Sequence, residues 1–206
     1  MIVKVKVCGI TNAEDAKAAV DMGADILGFN FYEKSPRYVT IEQAAHLALQ
    51  VPAIVSLAGV FVNAEPSFIR EAAKHCHLDW VQLHGDETPE FCDNFRTDPP
   101  NIMKAVRIRT REDIERASQY SADAILLDAF NPEKYGGTGQ TFDWSLLTHS
   151  GQRIFLAGGI TPDNAKEAAE QGMYALDICS GIESEPGKKC HKKMQQFFDN
   201  IHHLRR

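Results

Sequence analysis

The 206-residue chain lacks long apolar runs, an excess of positive charge and any pairing pattern among its cysteines. No apolar stretch approaches the roughly 20 residues that a membrane-spanning helix needs, so the sequence excludes a membrane protein. The formal net charge of −6 argues against a protein that binds nucleic acid. The first residues also lack the apolar core and small-residue cleavage site of a secretion signal, and we therefore expect a cytoplasmic protein.

The cysteines indicate reduced thiols rather than a disulfide framework or a zinc site. Their number is odd, their spacings are long and no CxxC pair occurs. The histidines next to some of them are not accompanied by further ligands at helical or hairpin spacing, so we predict no metal site. The cysteines are Cys8, Cys76, Cys92, Cys179 and Cys190.

Short apolar runs alternate with amphipathic stretches along the whole chain. The runs are near-continuously apolar, as is typical of strands that are buried on both faces of a sheet. Alternation of strands and helices predicts a parallel sheet, and eight such units predict an α/β fold, a single (β/α)₈ TIM barrel over residues 1–206. A doubly wound open sheet is the alternative, but it normally has fewer strands. The runs cover residues 3–8, 25–31, 53–62, 80–84, 103–108, 124–129, 154–157 and 175–179.

Helical patterns lie between several of these runs, and the clearest one closes the chain. Its apolar residues at positions 194, 197, 198, 201 and 204 fall on one helix face. Lysines at positions 188, 189, 192 and 193 form a basic cluster in the same region. Because these lysines interleave with the apolar positions, we predict that they form the solvated face of the final helix.

Polar residues end several strand-like runs, and the active site of a (β/α)₈ barrel lies at these carboxyl ends. Cys8 ends the first run, and Asp128 lies near the end of the sixth. A thiolate stabilised by nearby cations can act as a base, and a carboxyl in apolar surroundings can act as an acid. The alternatives are a small buried hydrophobic residue at Cys8 and a cap at Asp128. Together the two residues predict proton transfer on a small substrate.

Glycine-containing turns follow the last two strand-like runs and predict a phosphate site. Gly158 and Gly159 follow the seventh run, and Ser180 and Gly181 follow the eighth. Such turns let backbone N–H groups approach an anion, and barrels commonly bind phosphate at these two units. The alternative is that the glycines only turn the chain.

Two loops add candidate ligand contacts. Arg37 follows Pro36 after the second run, where its forked donors suit a planar carboxylate; the alternative is a solvated loop arginine. The glycine-rich segment 136–139 follows Asp128 and predicts a flexible loop that closes over a ligand. A Walker-type phosphate loop is excluded, because no GK[ST] follows the glycines.

Eight short motifs occur in order along nearly the whole chain. They are KVCGIT at 6–11, GFNF at 28–31, SPRYV at 35–39, VQLHG at 81–85, LLD at 126–128, GGTG at 136–139, LAGGI at 156–160 and DICSGIE at 177–183. In order and spacing they resemble the phosphoribosylanthranilate isomerase family of tryptophan biosynthesis. Each motif is short, but eight in register are highly specific.

The resemblance implies an Amadori rearrangement that uses neither a metal nor a cofactor. The small-molecule substrate would be phosphoribosylanthranilate, and the product 1-(2-carboxyphenylamino)-1-deoxyribulose 5-phosphate. On that mechanism Asp128 is the general acid, which protonates the ribose ring oxygen so that the ring opens to a Schiff base. Cys8 is the general base, which removes the C2′ proton so that an enolamine forms and tautomerises to the ketone.

The resemblance also implies binding roles. Arg37 would pair with the anthranilate carboxylate, and His84 and Asp177 would line the ribose pocket. The phosphate would be held by Gly158, Gly159, Ser180 and Gly181. The sequence does not decide between a monomer and a homodimer.

Three positions depart from the family pattern. Cys179 stands where the eighth-strand turn, Asp-Val-Ser-Ser-Gly, has its first serine, so phosphate affinity falls if that hydroxyl takes part. Cys190 replaces an acidic residue in the first turn of the last helix, at a cost of roughly a few tenths of a kcal/mol. Asn30 stands where an apolar residue is commoner.

Two rival functions fit the same fold. A related isomerase of the histidine pathway resembles two fused halves, with an aspartate ending both the first and the fifth strand. Here those positions are Cys8 and about Arg107, which counts against it. A non-catalytic barrel that binds a phosphorylated metabolite would need neither Cys8 nor Asp128. Fold alone does not separate these functions, because barrels host many chemistries.

Overall fold

Eight parallel strands form a closed barrel in the computed structural model, which describes residues 2–95, 100–130, 141–147 and 151–205. The strands are β1 Lys4–Cys8, β2 Ile26–Asn30, β3 Ser56–Phe61, β4 Trp80–Leu83, β5 Asn101–Ile108, β6 Ala124–Ala129, β7 Ile154–Leu156 and β8 Ala175–Ile178. Each strand pairs with its neighbour in sequence, and β8 pairs with β1 to close the sheet. The predicted TIM barrel is confirmed.

Helices return the chain from the end of one strand to the start of the next. They are α1 Ala13–Asp21, α2 Ile41–Ala48, α3 Pro66–His75, α4 Pro89–Asp93, α5 Arg111–Ala117, α6 Ala165–Glu170 and α7 His191–Ile201. α2 begins with a capping box, in which Thr40 and Gln43 each accept a hydrogen bond from the other's backbone N–H. Pro66 and Pro89 occupy first turns, where the missing N–H breaks no helical hydrogen bond.

The structure corrects some predicted boundaries. β3 begins at Ser56 rather than at residue 53, because the chain turns at 53 and 54, and β5 begins at Asn101 rather than at residue 103. α2 and α4 are helices that the apolar periodicity did not predict. After β6, the described residues contain only the short 3₁₀ turn Trp144–Leu146 before β7 begins.

A small antiparallel hairpin after β8 interrupts the repeat. It pairs β9 (Glu183–Glu185) with β10 (Lys188–Lys189), and Gly187 in its turn has a φ of 85°. The predicted face of solvated lysines on one helix was wrong. Lys189 is buried in the hairpin, whereas the lysines at positions 192 and 193 are exposed on α7.

Apolar side chains fill the barrel interior below its polar mouth. Because alternate strand residues point to opposite faces, one set of apolar side chains meets inside the barrel. Trp80 and Phe155 make an edge contact there, with ring centroids 6.0 Å apart. The other set packs against the helices and forms the larger apolar cluster. In the part of the chain that the structure describes, no helix is long and apolar enough to cross a membrane.

Candidate active site

The mouth of the barrel, at the carboxyl ends of the strands, holds both Cys8 and Asp128. Cys8 ends β1 and Asp128 is the penultimate residue of β6, with β7 and β8 between these strands. Both side chains are buried, with exposed fractions of 8% for Cys8 and 4% for Asp128. A thiol and a carboxyl group therefore border the same end of the barrel from strands that are not neighbours.

The surroundings of Asp128 are more polar than the apolar residues before it suggested. Oδ2 lies 3.2 Å from Nε2 of His84, and Oδ1 accepts a hydrogen bond from the Ala129 N–H at 2.9 Å. Gly158 lies against the carboxylate, since a Cβ there would come within 2.9 Å of Oδ1 and 2.6 Å of the Ala129 nitrogen. A glycine at this position lets the loop after β7 pass close to the candidate acid.

His84 links Asp128 to β4. Its Nδ1 lies 2.7 Å from Nε2 of Gln82, while its Nε2 faces Asp128. All three side chains are buried. His84, predicted to line the ribose pocket, is therefore the direct partner of the candidate acid. We call Gln82, His84 and Asp128 the acid side of the mouth.

Lys6 is a buried cation beside Cys8 that the sequence analysis missed. Its Nζ donates to Oδ1 of Asp177 at 2.7 Å, and Asp177 is opposite Lys6 in the β1–β8 register. Burial alone would lower the pKa of Lys6, but the charges and hydrogen bonds of Asp177 and Cys8 raise the pKa above its ordinary value. Lys6 therefore stays charged next to the candidate base. Asp177, predicted in the ribose pocket, is the ion-pair partner of this lysine.

Cys8 forms a hydrogen-bonded pair with Cys179, which directly follows β8. The pKa of Cys8 is raised by this hydrogen bond and by burial, and the charge of Lys6 offsets these effects only in part. The pKa of Cys179 is lowered to about 7, first by the hydrogen bond from Cys8 and then by the charges of Lys189 and Arg37, against the effect of burial. The expected cations are present, but Cys179 ionises before Cys8.

Arg37 is bound by Glu183, a residue to which the sequence analysis gave no role. Nε and Nη2 of Arg37 donate to the two carboxylate oxygens of Glu183 at 2.8 and 2.6 Å. Lys189 donates to the same carboxylate at 2.9 Å and to the carbonyl oxygen of Cys8 at 2.7 Å, so it connects the hairpin to the end of β1. The base side of the mouth comprises Lys6, Cys8, Arg37, Asp177, Cys179, Glu183 and Lys189.

The path of Arg37 depends on Gly9. Gly9 has a φ of 73°, and a Cβ at this position would lie 2.6 Å from Cδ of Arg37. The glycine thus both allows the left-handed turn after β1 and lets the arginine lie across it. Arg37 was predicted to bind a planar carboxylate, and in the structure its fork already binds one within the protein.

The predicted phosphate turns lie against each other beyond β7 and β8. Gly158 and Gly159 have φ values of 83° and 62°, in the left-handed region. Gly181 packs so tightly on the other turn that a Cβ would lie 1.9 Å from the Ile160 carbonyl oxygen. Among the described residues, the N–H groups of Gly158, Gly159 and Ser180 have no protein acceptor. Within the described part of the chain, nothing prevents these groups from binding an anion.

The residues that the sequence analysis missed differ in the signal they offered. Lys6 interrupts a buried apolar strand, and a charge in such a place is a signal that sequence reasoning can use. Glu183 gave no local signal, because its partner Arg37 lies 146 residues away. The predicted glycine-rich loop 136–139 lies outside the described residues. Within those residues, no cluster of three or more His, Cys, Asp and Glu side chains could hold a metal ion.

Residues 5–200 match the family model described as N-(5′-phosphoribosyl)anthranilate (PRA) isomerase. A protein named N-(5′-phosphoribosyl)anthranilate isomerase from Trichlorobacter lovleyi is 45% identical over 203 residues, which cover 97% of this chain and 98% of the relative. The chain belongs to the PRA isomerase family. The resemblance seen in its short motifs is thereby confirmed.

Solved PRA isomerase structures share the barrel described above. The enzyme from Thermotoga maritima superposes with a TM-score of 0.91 at 41% identity, covering 98% of this chain and 100% of the other. A PRA isomerase in complex with reduced 1-(o-carboxyphenylamino)-1-deoxyribulose 5-phosphate has a TM-score of 0.85 at 37% identity, with 98% and 100% coverage. PRA isomerases therefore build their fold as this chain does, over nearly its whole length.

Proposed function

We propose that this protein catalyses the Amadori rearrangement of N-(5′-phosphoribosyl)anthranilate to 1-(2-carboxyphenylamino)-1-deoxyribulose 5-phosphate, a step of tryptophan biosynthesis. Membership of the PRA isomerase family is the observation that carries this proposal. The barrel mouth supports it, because Cys8 and Asp128 lie at the same end of the barrel on different strands. Aldose–ketose isomerisation needs such an arrangement, with an acid at the ring oxygen and a base at the neighbouring carbon.

Asp128 acts as the general acid. Its protonated carboxyl gives a proton to the ribose ring oxygen, the C1′–O bond breaks, and the anthranilate nitrogen forms a Schiff base with C1′. The close approach of Gly158 to Oδ1 leaves the other oxygen, Oδ2, on the side of His84. The ring oxygen of the substrate then approaches Oδ2 on the acid side of the mouth.

Cys8 acts as the general base after its proton passes to Cys179. The hydrogen bond between the two thiols provides the path, and the lowered pKa of Cys179, about 7, supplies a thiolate near neutral pH. The Cys8 thiolate takes the proton from C2′, and the electron pair of that C–H bond moves to form the enolamine. Lys6 stabilises the negative charge on Cys8 during this transfer.

Different parts of the mouth bind the two anionic groups of the substrate. The anthranilate carboxylate meets Arg37 through Nη1, since Glu183 occupies Nε and Nη2. The phosphate lies on the backbone N–H groups of the turns after β7 and β8. The hydroxyl that Cys179 lacks is then dispensable for phosphate binding, because this side chain faces Cys8, Arg37 and Lys189 instead.

The remaining expectations accompany this function. We expect the whole chain, residues 1–206, to form one catalytic domain that works without a metal or a cofactor. The small-molecule substrate is its partner, with no role for nucleic acid or a membrane. A cytoplasmic location and a monomer or homodimer fit a biosynthetic enzyme of this class.

Loss of anthranilate fluorescence from freshly formed phosphoribosylanthranilate tests the proposal. We expect rapid turnover by the parent protein, and a loss of roughly 10²- to 10⁴-fold in kcat for both Cys8→Ala and Asp128→Asn. Cys76→Ala is the matched control, because this thiol is buried beside α2 and α3, away from the mouth. A folded parent that does not turn over would contradict the function and favour the aminoaldose isomerase. Active Cys8→Ala and Asp128→Asn variants would contradict the residue roles.

A further inference from the structure

The acid side contains a buried polar atom without a partner. Oε1 of Gln82 makes no hydrogen bond to any described residue, although Gln82 is only 1% exposed. A buried amide oxygen left unpaired is destabilising, so its persistence calls for a functional reason. The atom belongs to the amide group that contacts His84, which in turn contacts the candidate acid.

The donor and acceptor of each hydrogen bond from Gln82 through His84 to Asp128 can be assigned in turn. When Nε2 of Gln82 donates to Nδ1 of His84, the neutral ring carries its proton on Nε2 and donates it to Oδ2 of Asp128. Asp128 is then an acceptor at both oxygens, since Oδ1 accepts from the Ala129 N–H. In this arrangement the carboxylate carries no proton that it could give to a substrate.

A half-turn of the Gln82 amide changes that. Oε1 then faces Nδ1, so the ring holds its proton on Nδ1 and the unpaired oxygen gains a partner. One further proton lies between Nε2 of His84 and Oδ2 of Asp128, on either atom. This second arrangement leaves the amide NH2 group, instead of Oε1, in the place without a partner, but it puts a transferable proton beside the substrate.

We propose that Gln82 and His84 are positioning residues that keep the acid proton on the His84–Asp128 pair. The proposal rests on the proposed function, because it supplies the proton that ring opening consumes. In each turnover the O–H bond of Asp128 breaks as the ring oxygen is protonated. The His84–Asp128 pair is then one proton short, and solvent returns that proton to the pair after the product has left.

The backbone around His84 is fixed independently of this proton. Its N–H donates to the Phe61 carbonyl oxygen at 2.8 Å, and Nζ of Lys104 donates to the carbonyl oxygens of the residues on either side, at 3.2 and 2.8 Å. Lys104 also forms an ion pair with Glu87 at 2.8 Å, and both side chains are 2% exposed. The ring of His84 is thus held in place while its proton moves.

Charged groups from the neighbouring elements complete the surroundings of His84. Lys104 of β5 and Glu87, in the segment after β4, neutralise each other, and Arg107 at the end of β5 pairs with Asp86 at 2.5 Å. Asp128 of β6 is the charge that contacts the ring directly. Changes at Gln82 therefore act on the His84–Asp128 pair with the other charges left in place.

The pH dependence of kcat/KM in the fluorescence assay tests this proposal. In Gln82→Glu a permanent acceptor faces Nδ1, so the high-pH limb of the profile moves to higher pH. His84→Gln keeps a donor towards Asp128 but holds no extra proton, so that limb moves to lower pH. We expect His84→Gln to lose roughly 10-fold more activity at pH 8.5 than at pH 6, with the low-pH limb unchanged.

A merely structural role predicts a different pattern. If either variant lowers activity by the same factor at every pH, the proposal is overturned. A parent protein without turnover would instead overturn the proposed function.

A second measurement does not depend on turnover. The ring nitrogens of His84, assigned in ¹⁵N NMR spectra by their coupling to the carbons of the same ring, show which nitrogen of the parent protein carries a proton. We expect a proton on Nδ1, because Oε1 of Gln82 faces this nitrogen in the proposed arrangement. A ring that carries its only proton on Nε2 would overturn the proposal.

Discussion

The two sides of the barrel mouth hold their reactive groups by different means. On the base side, the buried cations Lys6, Arg37 and Lys189 surround the two thiols. On the acid side, Asp128 contacts an imidazole and a backbone N–H, and the imidazole in turn contacts the amide of Gln82. Fixed positive charge favours a thiolate, whereas partners that can give or accept a proton leave an acid able to regain one.

The two sides also come from different parts of the fold. The acid side is built from β4, the residue that directly follows it and β6, so its geometry follows from the barrel itself. The base side depends on the β9–β10 hairpin, which supplies Glu183 and Lys189 and lies outside the βα repeat. Substitutions on the base side should therefore disturb charge and stability, and those on the acid side chiefly proton transfer.

The largest effect is expected when the central cation of the base side is removed. Lys6→Met leaves Asp177 buried without its partner and should lower the free energy of unfolding by roughly 3 to 5 kcal/mol. The double variant Lys6→Met/Asp177→Asn should recover much of this loss, because no unpaired charge remains. Urea unfolding measures both. A double variant no more stable than the single one would show that the ion pair is not the cause.

Glu183→Gln should have the next largest effect, roughly 1.5 to 3 kcal/mol at pH 7, since the carboxylate accepts charged hydrogen bonds from Arg37 and Lys189. Burial would raise the pKa of Glu183, but these two cations hold the pKa below its ordinary value of 4.5. The stabilisation is therefore complete above about pH 4.5 and is lost as the pH falls through the lower folded-state pKa.

Unfolding free energies at pH 7 and at pH 3 separate this effect from simple loss of packing. The parent should lose more stability than Glu183→Gln between these two pH values. An equal loss in both proteins would contradict the role of the Glu183 charge.

A smaller effect is expected when a side chain is placed at the turn after β1. Gly9→Ala should cost roughly 1 to 2 kcal/mol for its positive φ, and its Cβ should displace Arg37 and raise KM. Gly23→Ala is the matched control, because it also has a positive φ (102°) but its Cβ would meet only Arg205, at 3.7 Å. A similar KM for both variants in the fluorescence assay would show that Arg37 does not bind substrate.

The smallest change, Cys179→Ser, restores the serine of the family pattern and tests the thiol pair. It removes the group whose pKa lies at about 7 and leaves Cys8 buried, and burial raises the pKa of a thiol. The low-pH limb of the kcat/KM profile should therefore move to higher pH, with a change of only a few-fold near the optimum. A limb that stays in place would show that Cys8 ionises without Cys179.

Sequence reasoning reached the barrel and the positions of Cys8 and Asp128 at its mouth, because both depend on local patterns. Apolar runs alternating with helices predict the closed sheet, and Cys8 and Asp128 stand at the ends of such runs. α2 was missed although Thr40 and Gln43 form a capping box, a signal that the sequence does contain. Strand ends and caps are thus readable from short stretches of sequence.

Such local patterns could not predict the burial of Lys189. Its position among apolar residues fits a helix face, but the turn at Gly187 folds it into the hairpin. Its partners then come from distant parts of the chain, including the carbonyl oxygen of Cys8, 181 residues away. Pairings of this kind depend on the closed barrel and have no local signature.

The pH profile of kcat/KM for the parent, Cys179→Ser, Gln82→Glu and the double variant tests the central claim most directly. The charged base side and the proton-sharing acid side predict that Cys179→Ser moves only the low-pH limb and Gln82→Glu only the high-pH limb. The double variant should then show both shifts, each of the size seen in the single variant. Movement of the same limb in both single variants would contradict the division of the mouth into two independent sides.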